Sequence, residues 1–382
     1  MKRTSMRIAA VTGAVALGLS LAACSGSSSD GGSDGAAAED ITVGVAMPTE
    51  TSERWIADGD AVQSQLEDAG YDVDLQFAND DIPTQQQQIE QMVTNGADIL
   101  VVASIDGTAL ASQLEAAKEK GIPVIAYDRL INGTDAVDFY VTFDNYQVGV
   151  QQAQSLLRGL GYLDENYEET GLTDEKVIEL FGGSPDDNNA TFFWNGAMDT
   201  LQPYLDDGRL TVGSGQTEFD QAATLRWDQA TAQKRMEDLI TSTYSGGSGQ
   251  LDGVLSPFDG ISRGIITALQ NAGYGDDIEA GLPVVSGQDS EIASVKLIND
   301  GVQFASIFKD TRSLASEAVT AASAYAEGDE PEANDTESYD NGNKVVPSFL
   351  LQSDIVVQDN IQSLLVDSGY WTEDEVASGI AD

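Results

Sequence analysis

The side chains that could bind or react with a ligand follow short apolar runs of the sequence. Asp128 and Arg129 come directly after VIAY at 124–127, and Lys309 ends the run that begins at 304. Because a hydroxyl group both donates and accepts a hydrogen bond, a carboxylate beside an Arg, Lys or Asn donor suits a ligand rich in hydroxyls. The candidate binding residues are Arg54, Trp55, Asp128, Arg129, Asp187, Asn189, Trp227, Asp259, Asp289 and Lys309.

Two of the tryptophans could supply the apolar contact that a sugar ring needs. The C–H face of a pyranose packs against an aromatic ring, and Trp55 and Trp227 each lie near the start of a predicted helix. Packing in the core is the alternative for both. Trp194 lies in the middle of a helical pattern, where core packing is the better interpretation, and Trp371 lies in no clear pattern.

Each charged candidate also has a purely structural interpretation. Asp187, Asp259 and Asp289 lie at or near the starts of predicted helices, where Asp is a favoured N-cap. Asp128 and Arg129 could form an isolated ion pair, and neighbouring strand residues point to opposite faces unless the strand ends there. The joint occurrence of these residues at strand ends favours one shared site.

Composition excludes several classes of function. The 382 residues contain no histidine, which excludes Ser-His-Asp and Cys-His nucleophile systems and zinc sites that use histidine. The 64 acidic and 18 basic residues give a formal net charge of −46, and such a field repels nucleic acid and anionic lipid surfaces. Catalysis by carboxylates remains compatible with this composition.

The first residues resemble an export signal. Three basic residues precede an apolar run that is too short for a resident membrane-spanning helix, so residues 1–23 are predicted to be a signal peptide. The run ends in LAAC, which resembles the lipobox of bacterial lipoproteins and predicts lipidation of Cys24, the only cysteine. Residues 24–40 are predicted to be a flexible tether. The protein is therefore expected to be exported and anchored to the outer face of the cytoplasmic membrane through lipidated Cys24.

The elements that must position the candidate residues alternate between strand and helix. Runs rich in β-branched residues occur in two series, at 41–47, 72–78, 98–104 and 122–128, and again at 176–182, 209–214, 251–256 and 282–287. Such alternation predicts parallel sheets flanked by helices, and two series predict two α/β lobes of similar build. Ligands of open parallel sheets bind at the carboxyl ends of the strands, where the candidate residues lie.

Six motifs resemble one family in their order and spacing. They are ERW at 53–55, AYDRLI at 126–131, FDN at 143–145, GGSPDDNNA at 182–190, SGQD at 286–289 and IFKD at 307–310. They are similar to motifs of type I periplasmic sugar-binding proteins, in the xylose-binding and multiple-sugar-binding branch, and the resemblance covers nearly all of residues 41–374. It implies an α/β fold of two Rossmann-like lobes, with the ten candidate residues contacting a sugar. Around Asp259 the chain departs from the xylose-binding branch, which has one residue fewer here.

The resemblance also implies how the chain divides. Three crossings between the lobes are expected near 142–147, 286–291 and 344–348. The expected N-terminal lobe consists of residues 41–144 with 290–345, and the expected C-terminal lobe of residues 145–289 with 346–382.

The function implied is that of a substrate-binding lipoprotein of an ABC sugar importer. The protein is expected to be a monomer and not an enzyme, and to bind an aldose such as xylose, glucose, arabinose or galactose by closure of its lobes. The expected partners are this sugar and the ABC permease, with no cofactor, metal or nucleic acid. Two alternatives remain open: a sugar-sensing accessory protein for a receptor kinase, and a glycoside hydrolase that uses two of the carboxylates.

Overall fold

The computed structural model describes residues 41–245 and 249–381. The predicted signal peptide, Cys24 and the tether lie outside the described residues. Within these two ranges, no helix is both long and apolar enough to cross a membrane.

The described part of the chain alternates strands and helices. The strands are β1 (Thr42–Met47), β2 (Asp72–Phe77), β3 (Ile99–Val102), β4 (Val124–Tyr127), β5 (Phe139–Phe143), β6 (Lys176–Leu180), β7 (Leu210–Val212), β8 (Gly253–Leu255), β9 (Val284–Val285), β10 (Ala305–Phe308), β11 (Ser348–Leu351) and β12 (Asp354–Val357). The helices are α1 (Glu53–Asp68), α2 (Ile82–Asn95), α3 (Ala111–Glu119), α4 (Asn145–Gly159), α5 (Asn188–Asp206), α6 (Phe219–Ala222), α7 (Gln229–Ser242), α8 (Asp259–Asn271), α9 (Ile292–Asn299), α10 (Thr311–Glu327) and α11 (Glu373–Ser378).

The first lobe is built on a parallel sheet with the strand order β11-β5-β4-β3-β1-β2. Strand β4 is buried along its whole length, with alternate residues on opposite faces. Ile125 and Tyr127 pack in one apolar cluster with residues of α1 and α10, and Val124 and Ala126 pack in another with residues of α2 and α3. The strand is apolar throughout because helices cover both faces of the sheet.

The second lobe repeats this strand order. Its parallel sheet has the order β7-β6-β8-β9, and a bridge between Gln288 and Ile307 continues it to β10, which pairs antiparallel with β12. Both lobes therefore follow one arrangement and differ in the direction of the last strand. The prediction of two α/β lobes with parallel sheets flanked by helices is confirmed.

Within the described residues, the chain passes between the lobes at three places, near Asp144, Lys309 and Ser353. The expected crossings at 286–291 and 344–348 need correction. Helix α9 packs against β10 and α11, so it belongs to the second lobe, and β11 pairs with β5 in the first lobe. Strand β10 can pair with β12 only if the chain stays in the second lobe up to residue 308.

Candidate functional site

A cavity of about 290 Å³ lies between the lobes, at the carboxyl ends of the strands of both sheets. Parallel strands end at the same edge of a sheet, so segments far apart in the sequence meet there. Nine of the ten residues predicted from the sequence line the cavity: Arg54, Trp55, Asp128, Arg129, Asp187, Asn189, Trp227, Asp289 and Lys309.

Arg54 contributes the guanidinium at one wall of the cavity. It lies in the first turn of α1, just after β1, and is buried. Its Nη2 atom is 2.6 Å from Asp128 Oδ1 and its Nη1 atom is 3.2 Å from Asp128 Oδ2, while its Nε atom donates to Asp58 at 2.9 Å. Burial opposes the charge, but Asp128 and Asp58 outweigh this and raise the pKa of Arg54. The guanidinium is therefore a fixed, fully charged donor.

Asp128 is the carboxylate at the end of β4. Burial by itself would raise the pKa of Asp128, but Arg54 and then Lys309 outweigh burial and lower it to about 2. Its backbone has a φ of 58°, a left-handed conformation that is rare for a residue other than glycine. This turn ends the strand, so Asp128 and Arg129 both line the cavity.

Lys309 joins the carboxylates of the two lobes. It follows β10 at a crossing, and its Nζ atom is 3.0 Å from Asp289 Oδ1 and 4.0 Å from Asp128 Oδ1. Arg54 Nη1 lies 3.7 Å from Asp289 Oδ1. All four side chains are buried, so their charges interact more strongly than they would in water.

Arg129 and Asp187 face each other across the cleft. Arg129 Nε lies 3.1 Å from Asp187 Oδ2, but the two atoms are not aligned for a hydrogen bond. The Arg129 Nε atom has no hydrogen-bond partner. Asp187 also caps α5 by accepting from the Asn189 backbone N–H at 2.9 Å, so the structural and the cavity-lining interpretations both hold. Burial raises the pKa of Asp187, against the opposing effect of Arg129.

Aromatic rings line the remaining walls. Trp55 is buried, and the guanidinium carbons of Arg54 and Arg129 lie 4.8 Å and 5.0 Å from its ring centroid. The Trp227 ring is partly buried between Phe193 and Phe258, each with its centroid 6.2 Å away. Its indole Nε1 atom is buried and has no hydrogen-bond partner, so it is a donor that a ligand could satisfy.

Asp259, the tenth predicted residue, is not among the residues that line the cavity. It is the first residue of α8 and fully buried. Its carboxylate accepts hydrogen bonds from the Glu291 backbone N–H at 2.9 Å, from Gln303 Nε2 at 2.9 Å and from Ser306 Oγ at 3.0 Å. Burial raises the pKa of Asp259 to about 8. The residue therefore joins elements beneath the site, while its neighbour Phe258 reaches the cavity.

Several other residues line the cavity that the sequence analysis does not identify. They include Thr49, Asp80, Phe193, Arg226, Phe258, Arg263, Gln288 and Glu291. Three of them, Phe258, Gln288 and Arg226, are sequence neighbours of predicted residues. Their position near the same strand ends could have identified them as candidates. Phe193 is one residue before Trp194, which packs on the apolar cluster of the second lobe as expected.

The donors and acceptors of the site suit a neutral ligand with many hydroxyl groups. The carboxylates at its centre face Arg or Lys side chains. Among the described residues, no group of three or more His, Cys, Asp or Glu side chains is arranged to hold a metal ion.

Comparison with known sequences gives consistent matches. Residues 43–330 match the family described as a periplasmic binding protein domain. The chain is 52% identical over 343 residues to a multiple sugar-binding periplasmic receptor, ChvE, of Rhizobium radiobacter, covering 89% of this chain and 93% of that protein. It is 34% identical over 339 residues to a D-xylose-binding periplasmic protein of Escherichia coli K12, covering 89% and 93%.

A solved structure with a bound sugar is also similar. An ABC transporter solute-binding protein from Clostridium phytofermentans, solved with bound β-D-glucose, superposes with a TM-score of 0.81. It is 48% identical, and the match covers 88% of this chain and 99% of that one. These relatives are described as binding proteins or receptors, not as enzymes.

Proposed function

Because the chain belongs to the periplasmic binding protein family, we propose that it binds an aldose monosaccharide, such as glucose or xylose, for an ABC sugar importer. One observation carries this proposal. Arg54, Asp128, Lys309 and Asp289 form a continuous buried series of charges that spans both lobes and lines one cavity.

This series can hold a sugar because each hydroxyl finds both a donor and an acceptor. A carboxylate such as Asp289 can accept from two neighbouring hydroxyls, and Arg129 Nε is a donor still without a hydrogen bond. Burying polar hydroxyls is favourable only if they are paired, which explains why charge is dense here. Trp55 and Trp227 offer the apolar surface for the ring. All nine lining residues named above are proposed sugar contacts.

Binding is proposed to require movement of the lobes. Hydrogen bonds join the lobes directly on the rim, from Gly107 N–H to the Asp186 carbonyl at 3.2 Å and from Ser52 Oγ to Glu291 Oε1 at 3.1 Å. Hinge motion at the crossings would break such bonds and widen the cleft for a sugar to enter. The closed form then presents a surface from both lobes to the permease.

The proposal is tested by titration calorimetry of the purified protein with D-glucose, D-xylose, L-arabinose and D-galactose. At least one of these aldoses is expected to bind with micromolar or tighter affinity. Absence of binding to all four at millimolar concentration, by protein whose circular dichroism shows a folded α/β chain, would refute the proposal.

A second function concerns sensing. The 52% identical relative is described as a receptor, which favours a role in which the sugar-bound form also docks on a sensor protein. Pull-down with the outer domains of the host's receptor kinases, with and without sugar, tests this; retention only with sugar supports it, and equal absence in both contradicts it. Anchoring through lipidated Cys24 is proposed for either role.

A further inference from the structure

Asp58 is a buried carboxylate directly behind the cavity wall. It lies one helical turn after Arg54 on α1, is fully buried, and is not among the residues that line the cavity. Its Oδ2 atom accepts from Arg54 Nε at 2.9 Å, and its Oδ1 atom accepts from the Tyr127 hydroxyl at 2.5 Å. Asp58 therefore does not itself line the cavity, and its two side-chain hydrogen bonds lead to Arg54 in the cavity wall and to Tyr127 behind it.

The geometry fixes the orientation of Arg54. A guanidinium presents its donors in a rigid planar fork, and here Asp58 takes the Nε edge while Asp128 takes both Nη atoms. Two carboxylates on different edges prevent the plane from rotating. Tyr127 is the residue before Asp128, so the same contacts also join α1 to the end of β4.

We propose that Asp58 is a positioning residue for sugar recognition: paired with Tyr127, its ionised carboxylate holds the Arg54 guanidinium in the orientation that the cavity uses. This inference rests on the proposed function. A neutral Asp58 accepts a weaker hydrogen bond from Arg54 Nε than the carboxylate does, because charge-assisted bonds are the stronger ones. Sugar affinity should therefore depend on the ionisation of Asp58.

The surroundings of Asp58 place this ionisation within an accessible range of pH. The charged or titratable groups that act on it, or on which it acts, are Arg54, Tyr127, Asp128, Lys309 and Tyr370. Burial raises the pKa of Asp58 to about 6, and Arg54 opposes this effect. Because the ionised form is the one that positions Arg54, affinity should be high above pH 6 and fall as the pH decreases through 6.

The first test compares sugar affinity between pH 5 and pH 8 in the full chain, for the wild type, Asp58→Asn and a matched control. The control is Glu179→Gln, since Glu179 is also fully buried and accepts from a tyrosine hydroxyl, that of Tyr244, in the second lobe away from the cavity. Asp58→Asn is expected to bind about tenfold more weakly at pH 8. The difference in sugar affinity between Asp58→Asn and the wild type should be smaller at pH 5 than at pH 8. The affinity of Glu179→Gln should equal that of the wild type at every pH.

Wild-type affinity and a wild-type pH profile in Asp58→Asn would overturn the inference. If Asp58→Asn does not fold, Tyr127→Phe replaces it, because that change leaves the carboxylate in place and removes one of its two hydrogen bonds. A loss of affinity in Tyr127→Phe supports the inference, and unchanged affinity contradicts it.

The second test needs no sugar. Hydrogen exchange of the Arg54 Nε–H, measured by NMR and assigned by its loss in Arg54→Lys, should be faster in Asp58→Asn or Tyr127→Phe than in the wild type. Unchanged exchange would contradict the positioning role. If the wild type binds no aldose, the proposed function fails, and this measurement still decides whether Asp58 positions Arg54.

Discussion

Asn189 donates a hydrogen bond from its side-chain amide to the main-chain carbonyl oxygen of Asp128, 2.6 Å away, and the two residues belong to different lobes. The same oxygen is within hydrogen-bonding distance of the hydroxyls of Tyr140 and Thr142 on β5. The left-handed turn at Asp128 that ends β4 is therefore held from both lobes.

Replacing Asn189 by alanine should open the protein and weaken sugar binding. The change removes a bond between the lobes and a proposed sugar contact, at a cost of about 1 to 3 kcal/mol in binding. Calorimetry measures the affinity, and small-angle scattering of the sugar-free protein should show a larger radius of gyration. Asn360→Ala is the control, because Asn360 makes the same kind of bond, to the Ile355 carbonyl, within the second lobe. Equal affinity and equal radius of gyration in the two variants would argue against a role of the Asn189–Asp128 hydrogen bond in holding the lobes together.

Replacing Asp128 or Asp289 by alanine should each cost on the order of 2 to 5 kcal/mol of sugar binding, because buried cationic partners lose their counterion. Titration calorimetry at pH 7 measures this loss. Wild-type affinity in both variants would mean that the sugar binds elsewhere.

The buried acid Asp259 should make stability depend on pH. Its pKa is raised from 3.8 to about 8 in the folded protein, so the folded state holds a proton that the unfolded state has lost between these values. Its contribution to stability therefore declines as the pH rises from about 4 to 8. Asp259→Asn removes this titration, so its thermal midpoint relative to the wild type should rise with pH across that range, with little change in affinity. A constant difference between the two melting temperatures at all pH values would contradict this.

Adding a methyl group at Gly183 should displace the Trp227 ring. A Cβ atom there would lie 2.0 Å from Trp227 Cη2, far inside contact distance. Gly183→Ala is expected to weaken sugar binding by about tenfold or more and to alter tryptophan fluorescence. The control is Gly182→Ala, whose Cβ would meet the Phe219 ring at 3.1 Å instead. Altered fluorescence with wild-type affinity in Gly183→Ala would show that Trp227 does not contact the bound sugar.

Replacing Cys24 by serine should release the protein from membranes without changing its sugar affinity. The thiol is the proposed attachment point of the lipid, and serine cannot form the thioether. Fractionation followed by immunoblotting measures the outcome. Retention of Cys24→Ser in the membrane fraction would refute the proposed anchor.

Much of the site could be predicted because its residues follow strands. Asp128 lies directly after a buried run and Asp289 lies two residues after another, at the edge of the sheet that faces the cleft. Asp259 could not be placed in this way. Asp259 and Phe258 both lie between β8 and the body of α8, and the direction of each side chain depends on how the helix starts. That direction is set by Gln303 and Ser306, which are distant in sequence.

The two-lobed fold could be predicted from the sequence, but the assignment of the last strands to the lobes could not. Alternation of strands and helices identifies two lobes, but it does not tell which sheet a late strand joins. Strand β5 is rich in aromatic and β-branched residues, which favour strands, but it is absent from the predicted strands. Strands β11 and β12 are separated by two residues, and only pairing with β5 and β10 assigns them to different lobes.

The late position of these two strands has a consequence for biosynthesis. Each forms the outer edge of its own sheet, so neither sheet is complete before its late strand has been made. A chain that stops before residue 348 would leave the buried strands β5 and β10 as uncovered sheet edges, which are prone to aggregation. Both strands are covered only after residues 348–357 have been added, so this short segment is required for native packing in both lobes.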